Sequence, residues 1–258
     1  MSCRVMGIVN VTPDSFSDGG QFFRPEEAIR RAKNLIADGA DIIDLGGEST
    51  RPGATPIGWE EEWSRIEPVL AGLVLAIEQS NNPNNRTILS VDTYHPETAE
   101  RAIAAGADII NCVYPEPIPD MARVIADAGR DTELVLPASA LSSVCHLSLN
   151  TYRLYLDPMI GFGTTREEDI ELLRSIPGLA KRGRVLVGAS RKRIVKKLVG
   201  EKSAVGKNIG GNVAIAVWAA MNGASVVRVH DVKETVQALR VIDQLKGEGE
   251  WRKGEGER

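Results

Sequence analysis

The chain has 258 residues, 43% of them hydrophobic, a net charge of −4 and a pI near 5.6. That length suits one large domain, close to the ~250 residues of an eightfold α/β barrel, although two domains of roughly 130 residues would also fit. No basic patch dominates, which argues against nucleic acid as a partner; no apolar run approaches the ~18 residues needed to span a membrane; and three cysteines without a Cys-x-x-Cys argue against a disulfide framework or structural zinc.

The first ten residues, Met-Ser-Cys-Arg-Val-Met-Gly-Ile-Val-Asn, are too short and too polar for a signal peptide. A cytoplasmic location is expected. Short β-branched runs then alternate with amphipathic stretches: Val5–Val9, Ile42–Leu45, Ile88–Val91, Ile109–Val113, Glu133–Leu136, Leu154–Leu156, Val185–Val187 and Val226–Val229. Eight buried strands separated by helices predict a single closed parallel (β/α)8 TIM barrel over 1–245, with an open doubly wound sheet as the alternative.

The loop after the first strand, Asn10-Val-Thr-Pro-Asp-Ser-Phe-Ser-Asp-Gly-Gly20, is long and polar, the character of a lid as much as of a solvated connector. A helix over Pro25–Asp38 follows, opened by Pro-Glu-Glu and closed by Gly39. After the second strand, Asp44-Leu-Gly-Gly-Glu-Ser-Thr-Arg51-Pro-Gly53 offers a Gly pair, hydroxyls and an Arg suited to an anion. The third strand ends in Ser90-Val-Asp92-Thr93. The next helix, Pro96–Ala105, closes at Gly106, so Gly-Ala-Asp-Ile-Ile occurs at both 39–43 and 106–110, with Gly-Ala-Ser-Val-Val at 223–227 a looser copy. A repeated helix–Gly–strand join is what repeated β/α units produce.

The fourth strand ends at Asn111. Between the fifth and sixth strands only Pro137–Arg153 remain, too few for a helix and two loops, so a shortened or missing fifth helix is expected. Cys145 and His146 fall in this segment and read as structural. The sixth strand runs into Asp157-Pro-Met-Ile-Gly-Phe162-Gly163, the seventh into Gly188-Ala-Ser190-Arg191-Lys192, and the eighth into Arg228-Val-His230-Asp231. The end, 246–258, is Gly-, Glu- and Arg-rich, a charged tail expected to be disordered.

Any one strand-end Asp could be a helix N-cap. Seven such loops all ending in polar or charged residues ask for another explanation. Carboxylates and an amide at the ends of strands 3, 4 and 6 can read a flat heterocycle rich in N–H donors, while Arg51, Arg228 and His230 could hold a phosphate-like group at the rim. No Walker loop, dinucleotide fingerprint or nucleophilic triad competes.

In order, Gly-Ile-Val-Asn-Val-Thr-Pro-Asp-Ser-Phe-Ser-Asp-Gly-Gly, Asp-Leu-Gly-Gly-Glu-Ser-Thr-Arg-Pro-Gly, Ser-Val-Asp-Thr, Ile-Ile-Asn, Asp-Pro-Met-Ile-Gly-Phe-Gly, Gly-Ala-Ser-Arg-Lys and Arg-Val-His-Asp-Val resemble the signature loops of the dihydropteroate synthase family. The resemblance runs from Met6 to about Leu245. It implies a transferase of folate biosynthesis that joins the pyrophosphate ester of 6-hydroxymethyl-7,8-dihydropterin to p-aminobenzoate by a dissociative route. It further implies catalytic roles for Asp92, Lys192, Asn10 and Arg51, with Asn10 a ligand of Mg²⁺. Asn111 and Asp157 would line the pterin pocket with Asp92 and Lys192; Thr50, Phe162 and Ser190 would lie near the aminobenzoate; Arg228 and His230 would lie near the phosphates. It also implies a homodimer, for which the apolar stretch Asn212–Asn222 offers either a contact face or an inward-packed helix.

The chain departs from the family pattern at Cys112 (usually Asp), at Thr164 (usually Lys) and at Leu136-Pro137-Ala138, where a Met-His element is usual. These departures raise two alternatives: a degenerate pterin-binding paralogue without turnover, and a pterin-dependent methyltransferase domain. The intact first and second loops count against the latter.

Overall fold

A computed structural model of the chain describes residues 3–12, 24–48, 55–79, 87–144, 153–200 and 208–247. Eight parallel strands close on themselves in chain order: β1 (Arg4–Asn10), β2 (Ile42–Gly46), β3 (Ile88–Asp92), β4 (Ile109–Asn111), β5 (Glu133–Pro137), β6 (Leu154–Asp157), β7 (Arg184–Val187) and β8 (Val226–Val229), with β8 returning to β1. The sheet is therefore a closed barrel, not an open one. The helices are α1 (Pro25–Ala37), α2 (Trp59–Glu78), α3 (Pro96–Ala104), α4 (Ile118–Asp127), α5 (Arg166–Ala180), α6 (Arg193–Val199), α7 (Ile209–Met221) and α8 (Val232–Leu245). Between β5 and β6, where a shortened helix is expected, the described residues hold a six-residue 3-10 helix, Ala138–Ser143, and no α-helix. No helix among the described residues is long and apolar enough to cross a membrane. Most of the charged tail, from 248 on, lies outside the described residues, as do Cys145 and His146.

The repeated Gly-Ala-Asp join has a physical explanation. Gly39, Gly106 and Gly223 all take positive φ, at 101°, 112° and 98°. In each case the following alanine N–H reaches back to the helix: Ala40 to Leu35 O (2.9 Å), Ala107 to Ala102 O (2.9 Å) and Ala224 to Ala219 O (3.0 Å). This is a Schellman closure, which needs a left-handed residue that only glycine adopts without strain. The Asp then serves the neighbouring strand: Asp41 Oδ2 accepts from Val5 N at 2.8 Å, and Asp108 Oδ2 from Leu89 N at 3.0 Å. The two Gly-Ala-Asp repeats thus end a helix and tie a neighbouring strand within three residues.

Successive residues on a strand face opposite sides. One set, including Val5, Ile43, Leu45, Leu89, Val91 and Ile110, packs outward under the helices. The other set faces the axis, where Met6, Ile42, Ile109, Val135, Tyr155, Leu186 and Val226 form a separate, fully buried plug. The plug fills the barrel interior and leaves chemistry to its C-terminal rim.

Candidate active site

Two residues beyond the plug, the same axial columns change character. Ile42 is followed by Asp44 and Gly46, Ile88 by Ser90 and Asp92, Ile109 by Asn111, Tyr155 by Asp157, and Val226 by Arg228 and His230. The strands therefore raise a polar layer directly on an apolar one, inside the barrel mouth.

Asp44 is the centre of that layer. It is fully buried, and it accepts hydrogen bonds from Ser90 Oγ (2.5 Å), Asn111 Nδ2 (3.2 Å) and Arg228 Nε (2.6 Å). The same guanidinium donates from Nη2 to Asp92 Oδ2 at 2.6 Å. One cation thus serves two carboxylates. Burial, reinforced by the charges of Asp44 and Glu62, outweighs the pull of Arg228 and pushes the Asp92 carboxyl up to about 7. A carboxylate held near neutrality inside a cleft is a group whose charge is available to a ligand.

Asn10 closes β1 beside this pair. Gly46 keeps the space between them open, since a methyl there would stand 3.8 Å from Asp92 Cβ and 3.9 Å from Asn10 Oδ1.

The opposite wall comes from β6 and β7. Asp157 Oδ1 accepts from Met159 N at 2.6 Å, part of a turn in which Met159 takes φ 65°. Burial raises the Asp157 carboxyl, with Lys192 opposing. Lys192 crosses Gly161 and donates from Nζ to Ile160 O at 2.6 Å, and its ammonium stands 4.1 Å from the Phe162 ring centroid. A cation over an aromatic face is attractive, so Lys192 fixes Phe162 at the rim. Burial lowers the Lys192 ammonium to about 8, against the attraction of Asp157 and Asp92.

Thr164 has a local task here: its Oγ donates to Asp169 Oδ1 at 2.6 Å, and both accept from Gly161 N, at 3.1 and 2.7 Å. The Gly-Phe-Gly turn is thereby pinned to α5 by Asp169, itself buried.

The third side joins β7 to β8. Ser190 Oγ lies 3.2 Å from His230 Nδ1 and accepts from His230 N at 3.3 Å. Arg191, at φ 60°, donates its backbone N–H to Asn212 Oδ1 (3.0 Å) and pairs with buried Asp231 at 2.6 Å, which Asn212 Nδ2 also meets at 2.8 Å. An unfavourable backbone next to a site persists only when its surroundings over-determine it, and here three side chains do so.

Of the residues singled out in sequence, the structure brings Asn10, Asp92, Asn111, Asp157, Lys192 and Arg228 to one mouth, with Phe162, Ser190 and His230 at its edge. Thr50 and Arg51 lie outside the described residues. Arg228 is ion-paired with two carboxylates, Asp44 and Asp92. Sequence reasoning passed over Asp44, Ser90 and Thr93. For Asp44 and Ser90 the signal was a polar residue two positions beyond an axial apolar one. Cys112 does not belong to the site: it packs in the outer core, donates to Tyr114 O at 3.4 Å, and burial pushes its thiol up to about 12. At β5 the axial column ends in Pro137, paired with Asp157 across the sheet, where a Met-His element is usual.

Comparison with known proteins agrees with this geometry. The family of pterin binding enzymes matches residues 6–140 and 134–230. A dihydropteroate synthase of Staphylococcus haemolyticus is 36% identical over 262 residues, covering 94% of this chain and 95% of the relative. Dihydropteroate synthase of Xanthomonas albilineans, solved with 4-aminobenzoic acid, superposes with a TM-score of 0.85 at 38% identity, covering 95% of this chain and 94% of the other. The Xanthomonas enzyme in complex with 7,8-dihydropteroate gives 0.81 at 35%, with the same coverage. On this family match and these identities over nearly the whole length, the chain belongs to the dihydropteroate synthases, transferases of the pterin-binding enzyme family.

Proposed function

We propose that this chain condenses 6-hydroxymethyl-7,8-dihydropterin pyrophosphate with p-aminobenzoate, giving 7,8-dihydropteroate and pyrophosphate. The observation that carries the reading is the Asp44–Arg228–Asp92 group in the barrel mouth, flanked by Asn111, Asp157 and Lys192. The ligands bound by the Xanthomonas enzyme, 4-aminobenzoic acid and 7,8-dihydropteroate, support the second substrate and the product.

A neutral aniline is a modest nucleophile, so the main task is to make the pterin methylene electrophilic. The C–O bond to pyrophosphate breaks first; the amine then attacks the resulting pterin-methyl cation and loses a proton. Asp92 lowers the energy of that cation by its negative charge. Asn111 and Asp157 offer an amide and a carboxyl to the pterin edge, and Lys192 supplies a donor. Ser190, on the side of the aminobenzoate, and His230, on the side of the leaving group, are already in contact. This route also requires that water, which would otherwise capture the cation, be kept out.

A Mg²⁺ ion fits the donor set in one way. No group of three or more His, Cys, Asp or Glu among the described residues could hold a metal unaided. Asn10 offers one amide oxygen beside open space, and magnesium characteristically takes its remaining ligands from substrate phosphates and water. Bound there, the ion would offset charge building on the departing pyrophosphate.

The assay is pyrophosphate release by the purified chain with Mg²⁺. Release should require both the pterin ester and p-aminobenzoate. Pterin binding without release would favour the degenerate paralogue, and no binding at all would sink the assignment. The pH profile adds a sharper expectation. Protonating Asp92 below about 7 removes the charge that stabilises the cation, and deprotonating Lys192 above about 8 removes a cation from the pocket. The kcat/KM for the pterin ester should therefore be bell-shaped and narrow, with limbs near those two values. A flat profile from 5 to 9 would contradict both assignments.

We also place the enzyme in the cytoplasm as a homodimer. α7 buries Ile215, Ala216 and Ala219 but leaves Ile209, Trp218 and Met221 exposed. Beside them a groove of about 400 Å³ is lined by Leu173, Val195, Leu198, Val199, Ile215 and Trp218. An exposed apolar strip of this kind marks an interface, and a second copy is its occupant. Trp218→Arg should convert a dimer on sizing chromatography to a monomer; a wild-type monomer would refute the placement.

A further inference from the structure

Behind the polar layer lies a carboxyl that the reaction does not touch. Glu62, in the first turn of α2, is fully buried. Its Oε2 accepts from Thr93 Oγ at 2.6 Å. Gly47 makes room for it: a Cβ there would stand 2.9 Å from Glu62 Cγ, while Arg65, one turn on, donates to Gly47 O at 2.9 Å. Burying a carboxyl this way is costly compared with an apolar side chain. A helix that only needed packing against β2 and β3 would carry a leucine here.

What the carboxyl holds gives a reason for it. Thr93 is the residue after Asp92. Its backbone N–H donates to Asn111 O at 3.0 Å, and its hydroxyl, while donating to Glu62, accepts from His95 N at 3.0 Å. Thr93 is therefore fixed at three points: to Asn111 on β4, to Glu62 on α2 and to its own loop. The two residues it joins, Asp92 and Asn111, face each other in register at the ends of β3 and β4.

We propose that Glu62 and Thr93 are positioning residues of the transfer reaction: Glu62 orients the Thr93 hydroxyl, and Thr93 holds Asp92 and Asn111 in the spacing that one pterin edge requires. This rests on the assignment of Asp92 and Asn111 to the pterin. Without the hydroxyl's partner, the turn at 93–95 is free to rotate, and Asp92 drifts from its place beside Arg228. Separately, burial raises the Glu62 carboxyl above the usual range, the Thr93 hydrogen bond working the other way. A neutral amide of the same shape is thus a fair substitute.

The test uses the full chain with four variants: Thr93→Val, Thr93→Ser, Glu62→Met and Glu62→Gln. Pterin affinity is read by calorimetry with 6-hydroxymethylpterin, and KM for each substrate by pyrophosphate release. Thr93→Val should weaken pterin affinity and raise the pterin-ester KM about tenfold, the worth of one buried hydrogen bond. The KM for p-aminobenzoate should stay within about twofold. Thr93→Ser should restore both values. Glu62→Met should behave like Thr93→Val, and Glu62→Gln, which keeps an acceptor for the hydroxyl, should stay near wild type. If Thr93→Val does not fold, the Glu62→Met and Glu62→Gln pair decides. The proposal is overturned if a folded Thr93→Val binds pterin like wild type, or if both KM values rise together and neither conservative variant rescues them. Failure of the unaltered chain to bind pterin would instead overturn the functional assignment, and the proposal with it.

Discussion

Asp92→Asn is expected to cut turnover by about a hundredfold or more while leaving the fold intact or firmer. The rate expectation follows from the role of the charge. Removing one aimed electrostatic group from a dry site typically costs ~10²–10³ in kcat, and here the group faces a developing cation. The stability expectation follows from the ion balance. Arg228 divides its donors between Asp44 and Asp92, at 2.6 Å each, and the folded environment pushes Asp92 up to about 7. A carboxyl whose folded pKa lies above its unfolded value is stabilised by its proton, so its ionised form costs folding energy as pH rises through about 7. An asparagine oxygen still accepts from Arg228, without that cost. Thermal melting at pH 8 should therefore show an unchanged or higher midpoint beside the collapsed turnover. Equal losses of stability and turnover would mean that Asp92 is a structural partner of Arg228 and not the group the cation faces.

Much of this barrel was legible before its coordinates. The eight β-branched runs became the eight strands, and the Gly-Ala-Asp repeat announced the helix–strand joins because a Schellman turn followed by a strand-registering Asp leaves a visible signature. The short interval at 137–153 announced a shortened helix after β5, where the described residues hold a 3-10 helix over Ala138–Ser143. The site was legible as a list of strand-end residues but not as an arrangement. Sequence order placed Arg228 with the phosphates because arginine suits them; it could not show that the axial columns of β2, β3 and β8 bring Asp44 and Asp92 to the same guanidinium. Nor could it separate Asn111 from Cys112. Only the pleat does that, turning one to the axis and the other to the outer core. Asp44 was hidden by its neighbours Ile43 and Leu45, which mark a buried strand, whereas a charge inside such a strand marks a buried partner elsewhere in the chain.

That partner is the subject of the second large effect. Arg228→Met should destabilise the chain by about 3 kcal/mol at pH 8, because it leaves two carboxylates in the barrel mouth with no guanidinium between them. For a domain of this size that corresponds to a fall in melting temperature of roughly 6–12 °C. The pH dependence carries the sign. Asp92 is already pushed up to about 7 against the pull of Arg228, so with the guanidinium gone it is raised further and is stabilised by its proton. The penalty from Asp92 is fully present above that folded value and shrinks as pH falls through it toward the unfolded ~3.9. The gap between variant and wild type should thus be widest at pH 8 and clearly narrower at pH 5. Arg228→Lys should recover only part of the loss, since an ammonium lacks the planar fork that reaches Asp44 with one nitrogen and Asp92 with another. Turnover should fall in both variants, because Asp92 loses the donor that aims it. A pH-independent gap would show that the residue contributes packing alone, and the two short contacts at 2.6 Å would then be a consequence of the barrel's shape and not a cause of its stability.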